Sequence, residues 1–452
     1  MAMVVKNNIS ALNTLNVMNK NNNALSKSLQ KVSSGMKINS AADDASGYAI
    51  SEKMRVQIRS LDQANQNTQN GNSLLKTAEG AVSSTVDILK TLKEKVVNAA
   101  NDTNTTADRQ TIQKELNQAI DQINDNASVS FNGKTLVDGS MNKTILTATT
   151  TVFTNQSLGT ATGAGSALTA LTDRDGNTLD IKSSDTIKIS FVQNGKTITT
   201  SFAAGSGNSL STIFANADTA ATAAAGATYG FNTAATSLQA GSFVGIDATG
   251  VSTYTADGSS AFSISAVSSG TTGQISGFSI SVSGTDGNVK KSINATLDNF
   301  SETVRAQNKS GNNALNLQIG TKANQSITVG LTDMRAQALG LQGTDAMTGV
   351  VKNIDVTTRD NANVAVNVMD SAIQKALDEQ TKIGSVESRL DYTSSNLTTS
   401  SENVTSAEST IRDANMASEM TEYTKNNVLL QASQAMLAQA NQGTSKVLSL
   451  LQ

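Results

Sequence analysis

The stretch MASEMTEYTKNNVLLQASQAMLAQANQGTSKVLSLLQ, residues 416–452, decides how this chain is read. Met416, Tyr423, Leu430, Leu437 and Leu451 fall on one seven-residue row, while Leu429, Met436 and Leu450 form a second. Spacings of three, four and seven stack side chains on one face of an α-helix, so two rows make this helix apolar on more than one side. A helix with a single partner inside its own fold needs one seam, and each further leucine left in water forgoes about 1.5–3 kcal/mol of burial. The alternative is a buried core helix of a large monomer. Against it stand the place at the chain end, the Asn and Gln between the leucines, and a matching amphipathic segment at the other end. Partners beyond the chain itself follow.

That matching segment runs through Val5, Ile9, Leu12, Leu15 and Met18, then Leu25, Leu29, Val32 and Met36, interrupted by Gly35 and Asn39-Ser40. A longer helical pattern follows through Met54, Ile58, Leu61, Leu75, Val82, Val86, Leu89 and Val96, and a third through Ile112, Leu116, Ile120 and Ile123. Asn101 to Asp108 separates them as a polar turn, and Phe131-Asn132-Gly133-Lys134-Thr135-Leu136 carries the Asn-Gly signal of a tight hairpin. Helical periodicity resumes near Asn361 and persists to the end, with Met369, Ala376, Ile383, Leu390, Leu397, Val404 and Ile411 seven apart.

From about 140 to 310 the chain turns to Ser, Thr, Gly and Ala with short alternating stretches. Ile187, Ile189 and Phe191 alternate before Asn194-Gly195, with Ile198 and Phe202 on the returning strand, and Phe278, Ile280 and Val282 alternate before Asp286-Gly287 in the same manner. Between Thr197 and Thr285 the only charges are Asp218, Asp247 and Asp257. A β-rich insert with a hydroxyl-covered surface, loosely packed around Ala220 to Gly226, is expected.

Composition narrows function. The 452 residues include no Cys, Pro, His or Trp, although average usage would give roughly twenty prolines. Without Cys and His the chain lacks thiolate nucleophiles, the commonest metal ligands and the usual neutral-pH general base, which argues against an enzyme, a metal centre and a cofactor. The 34 Lys and Arg balance 37 Asp and Glu without forming a basic patch, which argues against nucleic acid. The beginning, MAMVVKNNIS, lacks the charged and apolar regions of a secretory signal, and no apolar run approaches the roughly 20 residues of a membrane span. A cytoplasmic protein, or export without a cleaved signal, is expected.

Motifs that could carry chemistry fall short. Gly-Lys-Thr at 133–135 and 195–197 lacks the earlier glycine of a phosphate loop, because Ser128 and Ser190 stand there, so both read as hairpin turns. Asp173, Asp175 and Asn177 have calcium-loop offsets, but Thr178 and Ser184 replace the Gly and Glu such a loop needs, leaving a turn. Asp43 and Asp44 sit near a helix start and read as caps.

Residues 33–50, SSGMKINSAADDASGYAI, resemble the N-terminal signature of bacterial flagellins, and Leu437-Ala-Gln-Ala-Asn441 with Val447-Leu-Ser-Leu-Leu451 resembles the C-terminal one. The resemblance covers about residues 1–140 and 311–452. It implies an α+β fold in which both chain ends form a long antiparallel helical bundle or coiled coil, with a β-rich variable domain inserted between them. Residues 1–35 and 415–452 would be terminal helices of a filament inner core, 36–140 and 311–414 a helical bundle domain with a β-hairpin, and 141–310 a variable exposed domain. The implied protein is a structural, non-enzymatic subunit of the flagellar filament, secreted through the flagellar export apparatus and extracellular.

Its implied partners are itself, as a helical homopolymer, a flagellar export chaperone, the filament cap and hook–filament junction proteins. The expected self-assembly residues are Ile9, Leu12, Leu15, Met18, Leu429, Leu430, Met436, Leu437, Val447, Leu448, Leu450 and Leu451. In the family Toll-like receptor 5 reads a stretch similar to residues 90–97 here, which makes Lys90, Thr91, Leu92, Glu94 and Lys95 possible receptor contacts. Thr91 stands where strongly recognised members have Arg, and Lys95 where they have Leu, so weakened recognition is expected. Three rivals stay open: a hook–filament junction protein, which shares these termini, a displayed enzyme, and an adhesin. A displayed zinc protease is impossible without His.

Overall fold

The computed structural model describes residues 8–225, 230–232, 236–238, 243–246, 252–255, 261–345 and 348–450. Three helices open it: α1 (Ile9–Ser34), α2 (Ala45–Ala99) and α3 (Thr106–Ala127). The hairpin β1 (Ser130–Phe131) and β2 (Lys134–Thr135) follows. Then come β3 (Val152–Asn155), β4 (Thr186–Gln193), β5 (Lys196–Ala203), α4 (Leu210–Ala225), β6 (Thr236–Leu238), β7 (Phe243–Ile246) and β8 (Ser252–Tyr254). Next are β9 (Ala261–Ser265), β10 (Ile275–Ser283), α5 (Lys291–Leu297) and β11 (Phe300–Val304). The chain closes with β12 (Leu315–Gln318), β13 (Ser326–Val329), α6 (Ala336–Leu339), β14 (Gln342–Thr344), β15 (Val351–Asn353), α7 (Arg359–Arg412) and α8 (Met416–Leu450). With helices at both ends and a sheet-rich middle, the fold is α+β. It divides into two compact units, one of residues 1–69, 318–326 and 391–452 and a larger one of 70–317 and 327–390.

In the first unit, α1 starts where the Asn8 carboxamide oxygen accepts the Ala11 N–H at 3.0 Å, and stops where Gly35 adopts φ 71° and its N–H donates to Lys31 O. A short elbow leads into α2. There Asp44 Oδ1 accepts the N–H groups of Ser46 and Gly47 and caps α2 as expected, whereas Asp43 Oδ2 accepts those of Asn39 and Ser40 and closes the elbow turn instead. The Ser40 N–H holds the Asp43 carboxyl below its usual pKa. The helical pattern that resumes near Asn361 breaks at residues 413–415, between α7 and α8. The cause is tertiary: Lys37 N donates to Arg412 O at 2.7 Å and Ala414 N to Gly35 O at 2.9 Å, so the two breaks satisfy each other. Arg412 is buried at this elbow, bonded to Glu52 Oε1 at 2.8 Å with its guanidinium 5.7 Å from the Tyr48 ring centroid.

In the larger unit the expected apolar rows become core. Leu75, Val82, Val86, Leu89 and Val96 of α2 are buried, as are Leu116, Ile120 and Ile123 of α3 and Met369, Ala376, Ile383 and Leu390 of α7. The turn assigned to Asn101 to Asp108 ends early. A capping box at Thr105 and Asp108 starts α3 at Thr106. Asn132 (φ 51°) with Gly133, and Asn194 (φ 52°) with Gly195, make both Gly-Lys-Thr stretches hairpin turns. The strands of the second pair Ile187 with Phe202 and Phe191 with Ile198.

Three-stranded β10-β4-β5 and four-stranded β11-β3-β9-β6 sheets enclose an aromatic core with Phe214 of α4 near its centre. Two expectations fail here. After Asp286-Gly287 no strand returns: a single bridge from Ser283 to Val289 gives way to α5. The segment expected to be loose, Ala220 to Ala225, is the end of α4 with Ala221 fully buried, and Gly226 lies outside the described residues. At Gly277 (φ 64°) β10 bulges and approaches α7 so closely that a Cβ would lie 2.4 Å from Val368 Cγ2.

Asp298, at the C-terminal end of α5, accepts the Ile280 N–H at 2.7 Å, and burial pushes its carboxyl up to about 6 from 3.8. A raised carboxyl pKa means the folded unit binds the proton more tightly, so stability is highest below about 4 and is lost as pH rises through 6. Asp298→Asn is expected to gain about 2–3 kcal/mol at pH 8 and to flatten that slope in urea titrations across pH 4–8. An unchanged slope would remove Asp298 as its source.

Candidate self-assembly surface

The first unit pairs α1 with α8 in antiparallel order. Asn8 Nδ2 donates to Ala440 O at 3.2 Å, Asn21 Nδ2 to Ser433 Oγ at 2.7 Å, and Asn426 Nδ2 to Ser28 Oγ at 3.0 Å. Lys31 and Glu419 form an ion pair at 3.5 Å. Every one of these cross-helix contacts is polar. Among the described side chains of the two helices the only buried ones are Ser28 and Ser433, 6% and 7% exposed.

Much of the apolar surface of the two helices stays exposed. Ile9 and Leu12 are 64% and 58% exposed and Met436 63%, and Leu15 and Leu429 are exposed too. Met18, Leu430 and Leu437 are half-buried. The side chains of Val447, Leu448 and Leu450, and all of Leu451, lie outside the described residues. Val17, Leu29, Met416, Met420 and Val428 add to the exposed apolar surface and were not among the expected residues, although each is legible as an apolar position on its helix. Exposed apolar area on this scale marks an interaction surface. The sequence reading also passed over the serines and asparagines of the seam, whose signal is an Asn followed seven residues later by Ser on both helices.

The stretch expected to meet a receptor lies on α2 of the larger unit. Lys90, Thr91 and Glu94 are exposed, Lys95 is half-buried in an ion pair with Glu115 at 3.0 Å, and Leu92 belongs to the core. The Thr91 hydroxyl donates to Asp87 O at 3.0 Å within its own helix. Among the described residues no group of three or more acidic side chains could hold a metal ion, and no helix is long and apolar enough to cross a membrane.

An outward apolar surface on paired terminal helices marks a site of interaction with another molecule, and comparison with known proteins says of what kind. Residues 5–142 match the bacterial flagellin N-terminal helical region and residues 366–451 the C-terminal one. A flagellin of Clostridium tyrobutyricum is 35% identical over 98% of this chain and 100% of its own length. A flagellin of Bacillus subtilis is 31% identical over 99% and 100%, and the B-type flagellin of Pseudomonas aeruginosa 31% identical over the full length of both. This chain belongs to the bacterial flagellin family. Its class is therefore a self-polymerising structural component of the flagellar filament, not an enzyme.

Proposed function

We propose that this chain leaves the cell unfolded through the flagellar export apparatus and builds the extracellular filament for swimming by docking the outward faces of α1 and α8 onto neighbouring copies. The observation that carries this is that the helix pair buries Ser28 and Ser433 while it leaves Ile9, Leu12, Leu15, Leu29, Leu429 and Met436 exposed. Residues 1–35 and 415–452 form the filament inner core, residues 36–140 and 311–414 the surrounding bundle, and 141–310 the exposed variable domain. Alone, the terminal helices bury too little to offset the entropy of ordering them, so folding and polymerisation become one event. An export chaperone holds the same leucines beforehand, and the filament cap and the hook–filament junction proteins engage the same ends.

Leu12→Ala, Leu430→Ala and Leu437→Ala should each cost about 2–5 kcal/mol at a site fully buried in the polymer. Removing residues 447–452 should leave a soluble subunit that cannot polymerise. Electron microscopy of sheared filaments, beside circular dichroism of the soluble subunit, measures both. Filaments of normal length, or equal loss of subunit solubility, would overturn the reading.

A second role, as a weakened ligand of Toll-like receptor 5, is supported by the exposure of Lys90, Thr91 and Glu94 on one helix. Arg at 91 would supply a fork of donors that the Thr91 hydroxyl, bonded to its own helix, does not. Thr91→Arg should strengthen signalling in receptor-expressing cells, and an unchanged dose response counts against it.

A further inference from the structure

The hydrogen bonds between α1 and α8 are reciprocal. Asn21 and Ser28 lie seven apart on α1, as Asn426 and Ser433 do on α8. Asn21 donates to Ser433, and Asn426 donates to Ser28. Asn21 Nδ2 also reaches Leu429 O at 3.3 Å, while the Ser433 hydroxyl donates to that same carbonyl at 2.7 Å. The two rungs share one antiparallel register, and both serines are the buried residues of the seam. At each rung a carboxamide from the other helix donates to the oxygen of a buried hydroxyl, which would otherwise lack that cross-helix partner.

We infer that this double Asn–Ser clasp sets the register of α8 on α1, and thereby decides which leucines stand side by side on the assembling surface. The apolar rows flanking the seam are nearly degenerate, since Met18, Leu25 and Val32 on α1 and Tyr423, Leu430 and Leu437 on α8 lie seven apart, so a slip of one heptad still sets apolar against apolar there. The polar rungs remove that degeneracy. A one-heptad slip in one direction sets Ser28 opposite Ser433 and Asn21 opposite Ala440, and in the other sets Asn21 opposite Asn426 and Ser28 opposite Glu419. Neither slip keeps an Asn-to-Ser bond. A polar group at one seam position, accepted at some cost in stability, is a known device for choosing one register among several.

The inference rests on the polymerisation proposed above, and its test separates the two. The chain has no cysteine, so introduced thiols report alone. In one protein Lys31→Cys with Glu419→Cys reports the native register, and in another Ala24→Cys with Glu419→Cys reports a slip of one heptad. Filaments of each are oxidised, and intrachain disulfides are read on non-reducing gels. With the clasp intact the 31–419 link should dominate. Asn21→Leu with Asn426→Leu should lower the ratio of native to slipped link about tenfold. Exchanging partners at one rung, Asn21→Ser with Ser433→Asn, should restore filaments and the native link, whereas Asn21→Ser alone should not. An unchanged ratio in the leucine variant, or failure of the exchange to rescue, overturns the clasp. Leucine-to-alanine changes on the outer face should abolish filaments without producing the slipped link in soluble protein, so a failure of the polymerisation reading looks different.

Discussion

Glu302→Ala should destabilise the larger unit by about 3–5 kcal/mol, as expected when one partner of a buried ion pair is removed. Glu302 on β11 and Lys375 on α7 are 10% and 7% exposed, with Nζ 3.2 Å from Oε2, and the Ser371 hydroxyl donates to the same oxygen at 2.8 Å. Burial already depresses the Lys375 pKa, with the Glu302 charge opposing the shift. Without the carboxylate the ammonium is stranded between strand and helix, and must shed its proton or admit water. Glu302→Gln with Lys375→Met should recover most of the loss, because a buried pair is seldom better than an apolar one of its size. Urea unfolding of the soluble subunit measures both. A loss for Glu302→Ala within about 0.5 kcal/mol, the range of an ordinary surface change, would contradict a buried pair.

Phe214→Ala should cost a further independent 3–5 kcal/mol or so. The ring is fully buried on α4, with centroids 5.6 Å from Phe262, 5.9 Å from both Phe231 and Phe278 and 6.3 Å from Phe300. Its loss opens a cavity where five aromatic rings meet, and edge-to-face and offset pairs add to plain burial. The near-ultraviolet dichroism of the insert should collapse while filaments still grow through α1 and α8. Loss of filaments together with insert structure would tie assembly to this core.

What the sequence disclosed was local. The row from Met369 to Leu390 is core because a heptad repeat needs only neighbours in the chain, and Asn132-Gly133 and Asn194-Gly195 turn because their positive φ is intrinsic to those residues. What it concealed was tertiary. A boundary at 414/415 is implied by resemblance alone, and the hydrogen bonds that make the break at residues 413–415 run to Gly35 and Lys37, almost the whole chain away. The strand expected after Asp286-Gly287 is a helix because Ile293 and Leu297, four apart, both bury against the aromatic core. At the assembling surface the leucines were legible and the serines were not, since a buried serine has no apolar signature and only its partner asparagine explains it.

The elbow at which α1 meets α2 and α7 meets α8 also sets how far helical order can travel. In one unbroken helix, melting of an end frays inward turn by turn, because each lost hydrogen bond loosens the next. Here Gly35 closes α1, the 413–415 break closes α7, and the strands crossing between them are tied by two backbone hydrogen bonds and by the buried Arg412. The hydrogen-bonded ladder is thereby interrupted between each end and its long helix, so fraying of α1 or α8 stops at the elbow and does not run into α2 or α7. In the polymerisation proposed above, the ends can then order on a growing filament without unwinding α2 or α7.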